Sequence, residues 1–147
     1  MTNPTDTILV VNPNSTERVT RGIDAALEPL RIAGGPVIRC ETLAEGPPGI
    51  ESQRDADSVI LPLCRLVAAR EAETAAFVIA CFSDPGLFSA REATQKPVLG
   101  IAECGILTAL TLGHRFGVIS TLRVRCRGTC ATSGRWASGS VWPVICR

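Results

Sequence analysis

No stretch of this 147-residue chain approaches the roughly 20 consecutive apolar residues that a membrane helix needs, and Met1–Asp6 has no basic segment leading into an apolar one. A membrane partner is not expected, and a cytoplasmic location is. Cysteine is plentiful, but the seven residues have no regular spacing and no secretory context, which argues against a disulfide framework. Histidine occurs once, at His114 beside Gly113, where it suits a charge partner at a helix end better than a catalyst. Cys126 and Cys130 have a C-x₃-C spacing, yet no second pair accompanies them and Cys146 and His114 are distant, so no metal is expected. Acidic residues are missing altogether from 123–147, which hold five Arg, leaving residues 1–122 net acidic in a chain of net charge +1. That basic segment has no Lys, no periodicity and no recognisable module, so a nucleic-acid partner is not expected.

Short apolar runs and helical patterns alternate along the first 122 residues, which points to β-strands joined by helices and a mostly parallel sheet. Thr7–Val11 is the first strand, followed by the turn Asn12-Pro13-Asn14-Ser15-Thr16. Val19, Ile23, Ala26, Leu27 and Leu30 then recur at helical spacing, with Asn14 and Glu17 placed as a capping box and Gly34-Gly35 as the stop. Pro36–Glu41 is the second strand, and Gly46-Pro47-Pro48-Gly49 a loop. A helix is expected from Ser52 to Ala75, kinked or split by Pro62. The third strand ends at Cys81, and Asp84 with Pro85 is expected to open the next helix. Val98–Ile101 is the fourth strand, Ala102–Leu112 a helix, and Arg115–Ser120 a fifth strand. The expected fold class is α/β: a flavodoxin-like parallel four-stranded sheet flanked by helices, with an irregular C-terminal tail.

The chain divides into residues 1–122, an α/β domain with the start of a second half, and 123–147. Both Trp and three of the seven Cys fall in the latter segment. Shifting each codon boundary back by one nucleotide lets that segment encode a plausible amphipathic helix and turn. A frameshift is the expectation there, with a disordered tail as the alternative.

Cys81 follows the run Ala75-Ala76-Phe77-Val78-Ile79-Ala80, at the C-terminal end of a buried strand, where open parallel sheets gather their ligands. A helix starting beside it would direct free amides toward the thiol. Asn12-Pro13-Asn14-Ser15-Thr16 offers donors suited to a carboxylate, an imide or a developing oxyanion, and equally suits simple turn chemistry.

Four segments in order, Ile-Leu-Val-Val-Asn-Pro-Asn-Ser-Thr from Ile8, Cys-Phe-Ser-Asp-Pro-Gly from Cys81, Pro-Val-Leu-Gly-Ile-Ala-Glu from Pro97 and Arg-Phe-Gly-Val-Ile-Ser from Arg115, resemble the aspartate/glutamate/hydantoin racemase family, its hydantoin racemase branch most of all. The resemblance spans residues 7 to about 122. It implies a racemase that needs no cofactor, built from two pseudo-symmetric α/β halves around a cleft, each half supplying one cysteine as acid and base. Cys81 matches the first cysteine; the second would lie past Arg147, and Cys126, Cys130 and Cys146 match nothing in the family. The resemblance also implies substrate contacts from Asn12, Ser15, Thr16, Ser83, Asp84, Ser120 and Thr121, although Asp84 serves equally well as a cap and Ser120 and Thr121 adjoin the presumed frame break. Thiols suit such chemistry because their unperturbed pKa of about 8.5 lets thiol and thiolate trade roles near neutrality. Cys40, Cys64 and Cys104 occupy positions where a small hydrophobe fits.

The expected partner is a small molecule, a hydantoin or an amino-acid derivative, and a homo-oligomer is compatible with the sequence. With one half present, activity is expected to be impaired. Two further readings stay open: a non-catalytic module that holds an anionic metabolite in the Asn12–Thr16 loop, and an unstable fragment with no function.

Overall fold

β-Branched and aliphatic residues dominate Thr7–Asn12, and this segment forms the central strand β1, buried from Leu9 onward because helices cover both faces of the sheet. The structure is a computed structural model, which describes residues 6–113, 116 and 117. Helix α1 (Glu17–Ala26) leads to β2 (Val37–Thr42), helices α2 (Gln53–Ser58) and α3 (Ile60–Arg70) to β3 (Ala76–Ile79), and α4 (Leu87–Glu92) to β4 (Val98–Gly100), which runs directly into α5 (Ile101–Leu112). All strands are parallel, in the order β2-β1-β3-β4, with Leu9 opposite Arg39 on one side and Phe77 on the other. This is the expected flavodoxin-like α/β arrangement.

Alternation along the strands sorts the side chains into two layers. Leu9, Val11, Phe77, Ile79 and Val98 join Val59, Leu63 and Val67 of the α2–α3 segment and Leu87 and Ala90 of α4 in the main core. Asn12 projects to the opposite layer, where α1 lies and its Thr20 meets it. Several apolar side chains are exposed on β4 and α5, among them Leu99, Ile101, Leu107, Leu110 and Leu112.

Local details depart from the sequence reading in instructive ways. The first helix ends at Ala26, not at Gly34-Gly35, because Pro29 brings no N–H to an α-helical ladder; a short 3₁₀ turn, Glu28–Leu30, replaces the last turns. Its apolar stripe is only in part the inward face: Val19, Ala26 and Leu30 are exposed, whereas Ile23 and Leu27 are half-buried at helical spacing from Thr20, the buried residue of α1. The expected capping box of Asn14 and Glu17 does not form. Thr16 occupies the N-cap position without a side-chain cap bond, and the Asn14 side chain turns back to the loop, its Oδ1 accepting from the Thr16 N–H at 2.9 Å.

The segment expected as one long helix splits at Val59, three residues before Pro62, which sits in the first turn of α3 where its missing N–H is no loss. The α-helix ends at Arg70 and a 3₁₀ turn, Glu71–Glu73, follows it, so that Ala75 already bonds to Thr7 of β1. Asp84 and Pro85 do not open α4, which begins at Leu87 with Gly86 as N-cap. Asp84 instead adopts a left-handed backbone conformation, φ 43°, and its carboxylate is turned to the first amides of α5, so it does not cap α4. The expected fifth strand, His114 and the 123–147 segment lie outside the described residues, apart from Phe116 and Gly117.

Candidate functional site

From β1 the chain steps to β2 on one side and then returns to β3 on the other, so connections leave the C-terminal ends of β1 and β3 in opposite directions. The crevice between such diverging connections is where open α/β sheets hold ligands. Two segments singled out by sequence meet here: Asn12–Thr16 after β1 and Cys81–Asp84 after β3. The Ala80 N–H donates to the Val11 carbonyl at 2.8 Å, which ties the two strand ends together immediately before the loops part.

The first loop is held from within. Asn12 is 1% exposed, and that burial demands partners for its amide. Its Nδ2 donates to Asn14 Oδ1 and Thr20 Oγ1, each at 3.0 Å, and more weakly to the Thr16 carbonyl at 3.4 Å; its Oδ1 accepts from the Asn14 N–H at 3.3 Å. Behind it the hydroxyls of Thr20 and Thr42 share a short hydrogen bond. The loop after β2 closes over the other side: Ser15 N–H donates to the Pro47 carbonyl at 2.9 Å, and Thr16 Oγ1 to the Pro48 carbonyl at 2.7 Å. Gly46 makes this closure possible, since a Cβ there would stand 2.4 Å from the Pro13 carbonyl oxygen. Several donors expected to face a ligand are thus engaged inside the protein, whereas the Ser15 hydroxyl makes no hydrogen bond among the described residues.

Cys81 lies one residue past β3 plus Ala80, half-buried, with its side chain packed against the main core. Its Sγ lies 3.4 Å from Ser83 Oγ, and Ser83 is exposed. The turn closes through the Asp84 N–H, which donates to the Cys81 carbonyl at 2.9 Å. The Asp84 carboxylate accepts from two backbone N–H groups of α5, Ala102 to Oδ1 at 3.0 Å and Glu103 to Oδ2 at 2.7 Å. Burial pushes its pKa above the ordinary 3.8, against the pull of those two N–H donors. Ser120 and Thr121 lie outside the described residues.

A separate groove of about 400 Å³ runs between α1 and the β2 edge, bordered by Thr20, Arg21, Asp24, Arg39 and Cys40. It is not at the strand ends. Burial, aided by Asp24, pushes the Cys40 thiol up to about 11, and burial with Glu92 also raises that of Cys64, so both remain protonated at neutral pH. Among the described residues, no cluster of His, Cys, Asp and Glu could hold a metal ion. Sequence reasoning missed Thr20, Thr42, Gly46 and Gly100, which support the two loops from a distance. A threonine in an otherwise apolar helical stripe was a signal for the first of these.

The model for the Asp/Glu/Hydantoin racemase family matches residues 8–128. The chain belongs to this family. It is 40% identical over 116 residues to a hydantoin racemase of Pseudomonas sp. (strain NS671), a match covering 78% of this chain and 46% of that protein. A hydantoin racemase of Paenarthrobacter aurescens is 38% identical over 121 residues, covering 80% of this chain and 51% of that one. Among solved structures, the allantoin racemase from Klebsiella pneumoniae superposes with a TM-score of 0.81 at 31% identity, covering 88% of this chain and 53% of that one. The chain therefore spans about half the length of the racemases it matches. The family to which this sequence and this fold belong is thus one of racemases, which are isomerases.

Proposed function

We propose that this chain carries one half of a racemase site acting at a carbon next to a carbonyl, in a hydantoin, allantoin or related amino-acid derivative, with Cys81 as the acid/base on one face of the substrate. The supporting observation is the position of Cys81: a thiol at the C-terminal end of β3, on the crevice between diverging connections, in a member of a racemase family. In this reaction the thiolate takes the proton from the stereogenic carbon, the electron pair passes into the adjacent carbonyl as an enolate, and a proton returns to the opposite face. One positioned acid/base group contributes roughly 10²–10⁴-fold. No cofactor is needed, because the carbonyl itself accepts the electron pair.

The hydroxyls of Ser15 and Ser83 supply polar contacts for the ring carbonyls, with Asn12 and Thr16 shaping from within the turn that carries Ser15. Ser120 and Thr121 belong to the same proposal as further hydroxyl contacts. The opposing acid/base group is assigned to the other half of the full-length fold. A single half is accordingly slow, since it lacks both the second proton carrier and half of the positioning.

Solvent deuterium incorporation at the chiral carbon of a 5-substituted hydantoin tests the proposal, with this chain and its Cys81→Ser variant compared. Incorporation that disappears in the variant supports it. Incorporation unchanged by the substitution, or saturable binding with no incorporation in either protein, refutes it and favours a ligand-binding module.

A further inference from the structure

α5 is a 12-residue helix whose own N-cap, Gly100, has no side chain to bond its first amides. Those amides are bonded nonetheless. Asp84, which precedes them by 18 and 19 residues, places one carboxylate oxygen on the Ala102 N–H and the other on the Glu103 N–H. The approach is so close that a Cβ at Gly100 would stand 2.3 Å from Asp84 Cγ and 2.5 Å from each carboxylate oxygen. Asp84 reaches this position only by holding φ at 43°, a left-handed conformation that costs an L-residue conformational energy, though Asp tolerates it better than most. Its N–H meanwhile closes the turn onto the Cys81 carbonyl. Arg91 of α4 adds a second tie across the same junction, paired with Glu103 and donating from Nε to the Val98 carbonyl at 3.0 Å. The turn that carries the thiol is thus anchored to the start of α5.

We propose that Asp84 is a positioning residue for Cys81: both of its carboxylate oxygens are committed to α5, so that it fixes the Cys81–Asp84 turn in place of contacting substrate, and Gly100 is required so that the carboxylate can reach. The inference rests on Cys81 being the acid/base of the proposed reaction, but the anchoring itself is testable without turnover.

Iodoacetamide labelling, mapped by peptide mass spectrometry, reports each cysteine separately in the full chain, with Cys40 and Cys64 as references on other elements. Asp84→Ala and Gly100→Ala are each expected to raise the Cys81 labelling rate relative to both references by about tenfold, the effect of freeing one turn from a charge-assisted hydrogen bond. Asp84→Gly, which suits the positive φ but lacks the carboxylate, is expected to do the same, and adding Gly100→Ala to it should change nothing further, because the group that Ala would displace is already gone. Asp84→Asn, which keeps one acceptor, should fall between. Where the chain incorporates deuterium into a hydantoin, Asp84→Ala should slow that incorporation while the references stay protected.

Equal acceleration at all three cysteines would reduce Asp84 to a general stability residue and overturn the proposal, as would an unchanged Cys81 ratio or additive effects of the two substitutions. Failure of the racemase reading looks different: Cys81→Ser would then leave deuterium incorporation intact, whatever the labelling ratios show.

Discussion

Exchanging one atom of Asn12 tests whether the β1–α1 loop is held by the buried amide. Asn12→Asp is isosteric, yet it replaces a donor by an oxygen at a site where Nδ2 faces Asn14 Oδ1, Thr20 Oγ1 and the Thr16 carbonyl. The Thr20 hydroxyl can rotate to donate, so one bond is recoverable. The other two contacts become oxygen facing oxygen, although Asn14 Oδ1 keeps the Thr16 N–H. The Thr16 carbonyl likewise keeps the Val19 N–H, so neither acceptor is orphaned; the lost Asn14 bond at about 1 kcal/mol, the weaker Thr16 contact at about 0.5 kcal/mol and a partly compensated buried carboxylate at about 2 kcal/mol together cost about 3–4 kcal/mol. That is a large part of the roughly 5–15 kcal/mol that holds a typical domain. In urea titrations followed by circular dichroism, with a slope of about 1.5 kcal/mol per molar, the midpoint should fall by about 2 M. The sign with pH is fixed as well. Burial raises the new carboxyl above its unfolded value of about 3.9, so the penalty is full above the folded pKa and shrinks as pH falls through it. A midpoint shift below about 0.5 M, or a gap from wild type that widens in acid, would refute the reasoning.

Two smaller tests address the framework around the site. Gly46→Ala sets a Cβ against the Pro13 carbonyl oxygen, the Asn14 Cα and the Leu43 carbonyl oxygen, all backbone, and should cost about 2–3 kcal/mol by the same urea titration because nothing flexible can yield. The acid limb of stability should depend on Glu71, held below its ordinary 4.5 first by the Thr94 hydroxyl and then by the Gln95 N–H, and on Asp55, held below 3.8 first by the Ser52 hydroxyl and then by the Glu51 N–H. Their stabilisation is complete above those ordinary values and is lost as pH falls through the lower folded ones, so Glu71→Gln should flatten the decline of the urea midpoint below about pH 4.5.

The architecture was legible because β1, β3 and β4 are short apolar runs, β2 opens on Val-Ile, and most breaks carry Pro or Gly. β1, β2 and the Gly46–Gly49 loop fall where that punctuation sets them, and α5 is displaced by only one residue. Apart from Pro29, whose missing N–H is a local signal, the errors share one cause, which is that side chains acted over a distance that local pattern does not report. Asp84-Pro85 has the local form of a helix start, but the carboxylate serves α5 instead of α4. Asn14 has the spacing of a cap, but the buried Asn12 takes its side chain for the loop. Val19 and Leu30 have helical periodicity, but Pro29 and the polar pair Thr20–Asn12 decide which face α1 presents to the sheet. For the candidate site, strand ends were readable as positions; the supports of those positions, Thr20, Thr42, Gly46 and Gly100, were not.

Those supports all lie within the described residues, and that has a mechanical consequence. The loop after β1 is fastened to the loop after β2 by Ser15 and Thr16, and the turn after β3 to the start of α5 by Asp84. Each half of the crevice wall is therefore shaped by bonds that need no further chain. The apolar surface is a different matter. Leu99, Ile101, Leu107, Leu110 and Leu112 are exposed on β4 and α5, and Phe82 and Phe88 on the thiol turn and α4. In a chain about half as long as its racemase relatives, local geometry and overall solubility thus draw on different parts of the sequence. On the proposed reading, the setting of Cys81 is built within this half, whereas full turnover also needs an acid/base group on the opposite face, so isolating one half should cost rate far more than it costs the shape of this side of the site.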